Sequence, residues 1–169
     1  MESNNDAFIE YLKEAVGTFI LVMLGNGVVA NLRLAPQLSA QAYNWNTIAI
    51  GWGLAYTVAI FLSAGHLNPA VTLALACKRN FPWRKVFPYI LAQFVGAFLG
   101  SAGLWFMYKD GLAPAGFPNI WATGAGSVYR TAFTGCPGAE VSGSFRVIVA
   151  SVAELFGTIL LVWGILAVG

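Results

Sequence analysis

The chain has 169 residues, of which 58% are hydrophobic and 9% charged, and its mean hydropathy is +0.70. This composition excludes an ordinary soluble domain and indicates a membrane protein. The net charge of +2 gives no reason to expect a nucleic-acid partner.

Four long segments with almost no charge are each able to cross the hydrocarbon core of a bilayer, roughly 30 Å thick, as a helix. They predict spans near residues 11–33, 46–64, 86–108 and 146–169. Acidic residues precede the first apolar run, so we expect no cleaved signal peptide, and the first span should stay attached. The third span carries Gly96, Gly100 and Gly103, small residues that allow another helix to approach closely.

Glu14 lies near the start of the first span, and its sequence context recurs in the fourth. Residues 14–22 and 154–162 match at five of nine positions, 140 residues apart. Three spans or their equivalents separate the copies, so the second copy enters from the opposite face, as in the inverted repeats of transporters. A carboxylate in an apolar span is costly, and we expect Glu14 and Glu154 to accept backbone N–H groups and anchor a re-entrant segment. An interfacial charge at a helix start is the alternative for Glu14.

Trp52 lies too deep in the second span for the aromatic belt at the membrane surface. It follows Trp45 by seven residues, about 10 Å along a helix, where its indole N–H needs an acceptor. A pore wall would supply one. The alternative is a tryptophan wedged between helices, with its N–H on a backbone carbonyl.

Residues 63–72 read Ser-Ala-Gly-His-Leu-Asn-Pro-Ala-Val-Thr and predict a helix that begins at Asn68 and Pro69. Asparagine is a preferred N-cap, and proline suits the first helical position because it has no N–H to leave unpaired. The predicted helix, 68–77, would be about 15 Å long, half of a membrane span. Such backbone is tolerated at membrane depth only in a water-filled cavity or inside protein, so the segment indicates a pore with Asn68 facing the solute.

The backbone before this half-helix offers further polar groups. The carbonyls of Gly65, His66 and Leu67 must find donors in a low-dielectric site, and solute hydroxyl groups would serve. The His66 ring is expected to be packed and hydrogen-bonded, with direct solute contact as the alternative. With one histidine, and with Cys77 and Cys136 expected on opposite sides of the membrane, we expect no metal, cofactor or disulfide. No nucleophile, base and orienting group occur together, so an enzyme is not expected.

Basic residues predict the orientation. Lys78, Arg79, Arg84 and Lys85 cluster between the half-helix and the third span, and such residues are retained on the cytoplasmic side. We therefore expect a multi-pass protein of the plasma membrane with a cytoplasmic N-terminus. Glycines and prolines in segment 109–145 exclude a continuous helix and predict an outer loop, with a flexible linker as the alternative.

With these residues the chain closely resembles the aquaporin and glycerol-facilitator family over essentially its whole length. Gly-His-Leu-Asn-Pro-Ala-Val-Thr is similar to the family's first signature, and the repeated Glu-x-x-Gly-Thr to its second. The resemblance implies an all-α membrane protein with a right-handed helix bundle. Residues 1–169 would form one incomplete channel domain, with the N-terminal inverted-repeat half, made of three spans and one re-entrant half-helix, and the first span of the second half. The family forms tetramers in the lipid bilayer, which implies a homo-oligomer.

The resemblance also implies a solute path. In the family, two half-helices meet at mid-membrane, where their asparagines donate to solute oxygens and the positive helix ends repel protons and cations. Asn68, followed by Pro69 and Ala70, matches the first half-helix, and the carbonyls of residues 65–67 match those that line the path. Trp52, in Gly-Trp-Gly-Leu-Ala, matches the outer filter of glycerol-conducting members. This implies facilitated diffusion of glycerol and other small polyols, with water as a further solute.

Two departures from the family pattern keep other functions open. The link from the second span to the signature looks about four residues shorter than usual, about one helical turn, which affects the register between Trp52 and Asn68. The family's fifth span, second Asn-Pro-Ala half-helix, filter arginine and sixth span are absent from these residues. The expectation is a truncated glycerol channel, with two alternatives: a subunit that needs a second half to form a pore, or a nonconducting fragment.

Overall fold

A computed structural model of the protein describes residues 4–34, 45–63, 65–112 and 143–168. These residues form five helices and no strand: α1 (Asn4–Leu34), α2 (Trp45–Leu62), α3 (Pro69–Cys77), α4 (Trp83–Leu112) and α5 (Gly143–Val168). The chain divides into two compact units, residues 1–116 and 117–169, and each is considered by itself. The predicted outer loop lies mostly outside the described residues, and so does Cys136.

Three helices of the first unit are long and apolar enough to cross a membrane: Asn5–Leu32, Trp45–Leu62 and Trp83–Gly111. In α5 the apolar stretch Ser151–Ala167 has 17 residues. Helices α1 and α4 extend beyond the apolar runs read from the sequence, because helical hydrogen bonding does not have to stop where polar residues begin. The nine residues of α3 rise only about 14 Å, so α3 is the half-helix expected from the sequence.

Helix α1 packs against both α2 and α4. Glycines at the α1–α4 contact allow backbone to meet backbone. A Cβ atom at Gly96 would fall on the carbonyl oxygen of Ala15, and one at Gly100 would lie 2.8 Å from that of Phe19. Close packing of this kind contributes to helix association in a bilayer, where burial of apolar surface gives no driving force.

A small apolar cluster joins α1, α2 and the loop before α3. It consists of Leu21, Ala55, Ala59 and Leu67, with Trp52 and Tyr56 packed against it. Large apolar side chains such as Phe61, Phe98 and Phe106 are instead largely exposed. A protein in water rarely exposes so much contiguous apolar surface, so this outer surface suits lipid.

Candidate functional site

The chain between α2 and α3 adopts unusual backbone conformations. Gly65 has φ 87°, in the left-handed region that favours glycine, and Leu67 has φ 56°. The left-handed conformation at Leu67 costs roughly 1–2 kcal/mol and persists only where the surroundings hold it. The Gly65 N–H donates to the Ser63 hydroxyl at 2.9 Å. Residues 65–67 therefore adopt a defined backbone conformation, which the contacts of Glu14, Gln93 and Thr72 stabilise.

Asn68 caps the half-helix α3 with its side-chain oxygen. Its backbone is extended (φ −152°, ψ 129°), and its Oδ1 accepts the Ala70 N–H at 2.8 Å. Pro69 is the first helical residue, and the Thr72 N–H donates to the Asn68 carbonyl at 3.0 Å. Because Oδ1 makes the cap, the two amide N–H donors of Asn68 are not used by it. They remain for a partner outside the helix.

Glu14 reaches from α1 to this loop. Its side chain is completely buried, and its Oε1 accepts the backbone N–H of Leu67 and the Gln93 amide, the latter at 2.8 Å. Gly17, three residues further along α1, makes room for the contact, because a Cβ there would lie 2.8 Å from Leu67 Cδ2. The carboxylate thus holds the residue with the costly backbone conformation.

Gln93 and Thr72 extend this network, and the sequence analysis missed both. The Gln93 amide donates to Thr72 Oγ1 at 2.9 Å as well as to Glu14. Thr72 Oγ1 donates to the Asn68 carbonyl at 3.1 Å and lies 3.0 Å from His66 Nδ1. A hydroxyl has one proton to give, so while Thr72 donates to the Asn68 carbonyl, the His66 tautomer that fits is the one with its proton on Nδ1, which donates to Thr72. Gln93 carries a detectable signal, since an uncharged polar side chain in an apolar span usually bonds another helix.

The His66 ring is buried in an aromatic group on the side of the loop that faces α4. Its centroid lies 4.6 Å from that of Phe81 and 4.8 Å from that of Tyr89. Packed and bonded to Thr72, the ring contributes to the structure of the loop. The contribution of His66 to a solute path would come from its carbonyl.

A second polar cluster ties the first turns of α1 to α4. Glu10 Oε2 lies 2.6 Å from Lys85 Nζ, and Glu10 Oε1 accepts the Tyr89 hydroxyl. Lys85, one of the basic residues that predict the orientation, is mostly buried and is paired with Glu10. The Tyr89 ring contacts both His66 and Tyr11, so this cluster supports the aromatic group behind the loop.

The remaining predicted site residues lie on α2 and α5. Trp52 is half-buried on α2, with its ring over Gly25: a Cβ atom there would lie 2.6 Å from Trp52 Cζ3. The Trp52 side chain packs against the apolar cluster to which Leu67 belongs. Glu154 lies on α5 in the second unit, and its role as a second anchor stays a prediction. Among the described residues there is no group of three His, Cys, Asp or Glu side chains that could hold a metal ion.

Comparison with known proteins gives consistent results. Residues 2–169 match the family described as Major intrinsic protein. The chain is 40% identical over 170 residues to a glycerol uptake facilitator protein of Streptococcus pneumoniae R6, covering 98% of this chain and 64% of that protein. It is 38% identical over 164 residues to glycerol uptake facilitator protein 3 of Lactiplantibacillus plantarum, covering 94% of this chain and 62% of that protein. The chain thus spans a little under two thirds of the length of these relatives.

The fold has a match as well. The X-ray structure of the aquaglyceroporin from Plasmodium falciparum superposes with a TM-score of 0.59 at 31% identity, over 68% of this chain and 47% of that one. The all-α membrane fold and the family resemblance expected from the sequence are confirmed. The family match covers nearly all residues, and the identity to these relatives and the shared helical fold agree with it. The chain therefore belongs to the major intrinsic protein family.

Proposed function

We propose that this chain forms a membrane channel of the aquaglyceroporin type, which passes glycerol and other small uncharged solutes by facilitated diffusion. The observation that carries the proposal is the anchored loop: Glu14 holds Leu67, and the half-helix that follows begins at Asn68. The names of the relatives, glycerol uptake facilitator and aquaglyceroporin, support the choice of solute.

The proposed path offers both kinds of hydrogen-bonding group. The two N–H donors of the Asn68 amide serve a solute oxygen, and the carbonyls of residues 65–67 serve solute hydroxyl protons. A polyol uses both at once, because each hydroxyl donates and accepts. An ion would have to leave its water shell in a low-dielectric path, and the positive end of α3 opposes cations. Neutral hydroxylated solutes are therefore favoured.

Apolar and aromatic groups complete the proposed path. Trp52 would form an aromatic wall against the carbon side of a polyol, since a tryptophan ring offers a large apolar face and one polar edge. Pro69 and Ala70 would shape the mouth of the half-helix. In the second unit, Glu154 would anchor an equivalent segment, on the strength of the repeated Glu-x-x-Gly-Thr sequence. Transport of this kind involves no chemical conversion of the solute and no cofactor.

The setting is part of the proposal. The basic residues of the α3–α4 turn favour placing that turn and the N-terminus in the cytoplasm, with the chain in the plasma membrane. A homo-oligomer is expected from the family resemblance. Water is a second solute, because it uses the same donors and acceptors in a smaller volume.

The test is glycerol flux through the purified chain in liposomes. Vesicles shifted into hyperosmotic glycerol shrink by losing water and then re-swell as glycerol enters, which light scattering follows. We expect re-swelling much faster than in protein-free vesicles and none with sucrose outside. Re-swelling at the protein-free rate would contradict conduction by this chain.

A matched pair of variants tests the role of the asparagine. Asn68→Asp keeps a good N-cap, because asparagine and aspartate cap equally well, but it replaces the two N–H donors by a negative oxygen. Asn80→Asp makes the same change on the exposed α3–α4 turn. We expect at least a tenfold loss of glycerol flux for Asn68→Asp and none for Asn80→Asp. Equal flux in both would show that Asn68 does not face the solute.

A further inference from the structure

Tyr56 carries a buried hydroxyl group that the fold does not use. The residue lies in the middle of α2, and its hydroxyl oxygen is shielded from solvent but makes no hydrogen bond within the described part of the chain. A buried tyrosine hydroxyl normally finds a partner, because leaving it unbonded is costly. Neither the network of Glu14 nor the proposed role of Trp52 involves this group.

Two other hydroxyl groups show how such a group is usually satisfied. Thr57, the next residue on α2, donates to the Gly53 carbonyl of its own helix at 2.8 Å. Tyr89 on α4 donates to Glu10 on α1. A tyrosine hydroxyl is too far from its own backbone to bond as Thr57 does, and Tyr56 has no counterpart of Glu10. Its hydroxyl therefore keeps both its donor and its acceptor capacity.

Tyr56 lies beside the loop that leads to the half-helix. Together with Trp52, it packs against the apolar cluster that contains Leu67, the residue before Asn68. Its hydroxyl is also close enough to the buried Glu14 carboxylate to interact with it electrostatically. Both observations place the side chain on the side of α2 that faces the loop, and not on the side that faces lipid.

Tyr56 and Asn68 are expected at a similar depth in the bilayer. Along α2, Tyr56 follows Trp45 by about 16 Å at helical rise. Helix α3 rises about 14 Å between its start, next to Asn68, and its other end at Cys77. Measured from opposite surfaces, these lengths together match the roughly 30 Å of the hydrocarbon core, so both positions fall near its middle. Trp52 is one helical turn nearer the surface at Trp45.

We propose that Tyr56 is a specificity-determining residue of the solute path, an inference that rests on the function proposed above. Its hydroxyl bonds a hydroxyl group of the passing polyol after the solute leaves the level of Trp52. The bond replaces one that the solute made to water outside the membrane. Because each solute hydroxyl needs such a replacement, Tyr56 favours glycerol over a solute of similar size that lacks one hydroxyl.

Selectivity between glycerol and 1,2-propanediol tests the proposal. Tyr56→Phe removes the hydroxyl and keeps the ring, and Tyr108→Phe is the matched control, since its hydroxyl bonds Asn31 at an exposed position. Liposome re-swelling is measured with each solute and corrected for protein-free vesicles. We expect Tyr56→Phe to lower the ratio of glycerol to propanediol flux by about three- to tenfold, the effect of one hydrogen bond between uncharged groups, and Tyr108→Phe to leave it unchanged. An unchanged ratio in Tyr56→Phe would overturn the inference and leave the proposed channel function intact.

A second measurement reports the contact directly and does not require conduction. The chain is labelled with 13C at the tyrosine ζ carbon, whose NMR shift follows hydrogen bonding of the hydroxyl, and Tyr56→Phe assigns the Tyr56 signal. Glycerol should move this signal, whereas sucrose, a much larger solute, should not. A Tyr56 signal that ignores glycerol, or that responds equally to sucrose, would overturn the inference. A response to glycerol in a chain without flux would support the contact and contradict only the proposed conduction.

A purely structural role of the hydroxyl predicts a different result. If Tyr56 donated to Glu14 or another protein group, Tyr56→Phe would lower the melting temperature as Tyr89→Phe is expected to do by losing its bond to Glu10. We expect no such loss for Tyr56→Phe, because no bond within the protein is removed. Equal losses of melting temperature in the two variants would overturn the proposal.

Discussion

Replacing Glu14 by leucine should lower the free energy of unfolding by about 2–6 kcal/mol. The Glu14 carboxylate accepts two donors, the Leu67 N–H and the Gln93 amide. Both residues are buried, at 4% and 1% exposed, so water cannot replace the lost acceptor. A buried donor left without a partner costs about 1–3 kcal/mol, and there are two of them.

Glu14→Gln should lie between the leucine variant and the unaltered chain. Glutamine keeps a carbonyl oxygen that still accepts both donors, but each bond loses the contribution of the charge. Bonds to charged groups contribute about 1.5–3 kcal/mol and neutral ones about 0.5–1.5 kcal/mol, so the two bonds together lose about 2–3 kcal/mol. The glycerol flux should fall in the same order, because the backbone of Leu67 and the start of α3 become less well held.

The assay is thermal or denaturant unfolding of the purified chain in detergent, followed by circular dichroism at the helical band, together with the liposome flux. Asp6→Asn is the control. It removes a carboxylate from the first turn of the same helix, where the side chain is exposed, and should change stability by less than about 1 kcal/mol. If Glu14→Leu were no more costly than Asp6→Asn, the proposed anchor would be refuted.

Three further predictions concern helix packing and the network behind the loop. Gly96→Ala should cost about 1–3 kcal/mol in unfolding experiments, whereas Gly53→Ala, with nothing within 4 Å, should be neutral or stabilising; equal effects would contradict the close contact. Tyr89→Phe keeps the ring but loses the hydroxyl bond to Glu10, lowering stability by about 1–2 kcal/mol. Thr72→Val should slow glycerol flux while leaving helix content unchanged in circular dichroism, and an unaltered flux would remove Thr72 from the positioning network.

Local features of the chain could be predicted without the structure. The half-helix at Pro69 follows from the capping chemistry of Asn68 and from the proline after it, both of which act within one helical turn. The long apolar runs identify the helices that can cross a membrane, because length and composition alone decide that property. The signature sequences by themselves indicate the family, because they are short runs of neighbouring residues.

The partners of the polar side chains could not be predicted in the same way. Glu14 was expected to accept backbone N–H groups, but the sequence did not say which residue would donate them. Its bond to Gln93 joins positions 79 apart in sequence. Lys85 was counted among the basic residues that predict the orientation, but its pairing with Glu10 on another helix could not be read from the sequence. Sequence periodicity says which face a residue occupies, but it does not say which residue of another helix comes opposite.

By itself, then, the sequence determined the helical membrane fold, the family and the start of the half-helix, since these depend on composition and on neighbours within a few residues. Tertiary structure alone decided which atoms hold the loop before Asn68. Close approach of α1 and α4 at Gly96 brings Glu14, Gln93 and Thr72 together, and their bonds compensate for the left-handed backbone at Leu67. Such a conformation is unfavourable locally and exists only because distant parts of the chain stabilise it.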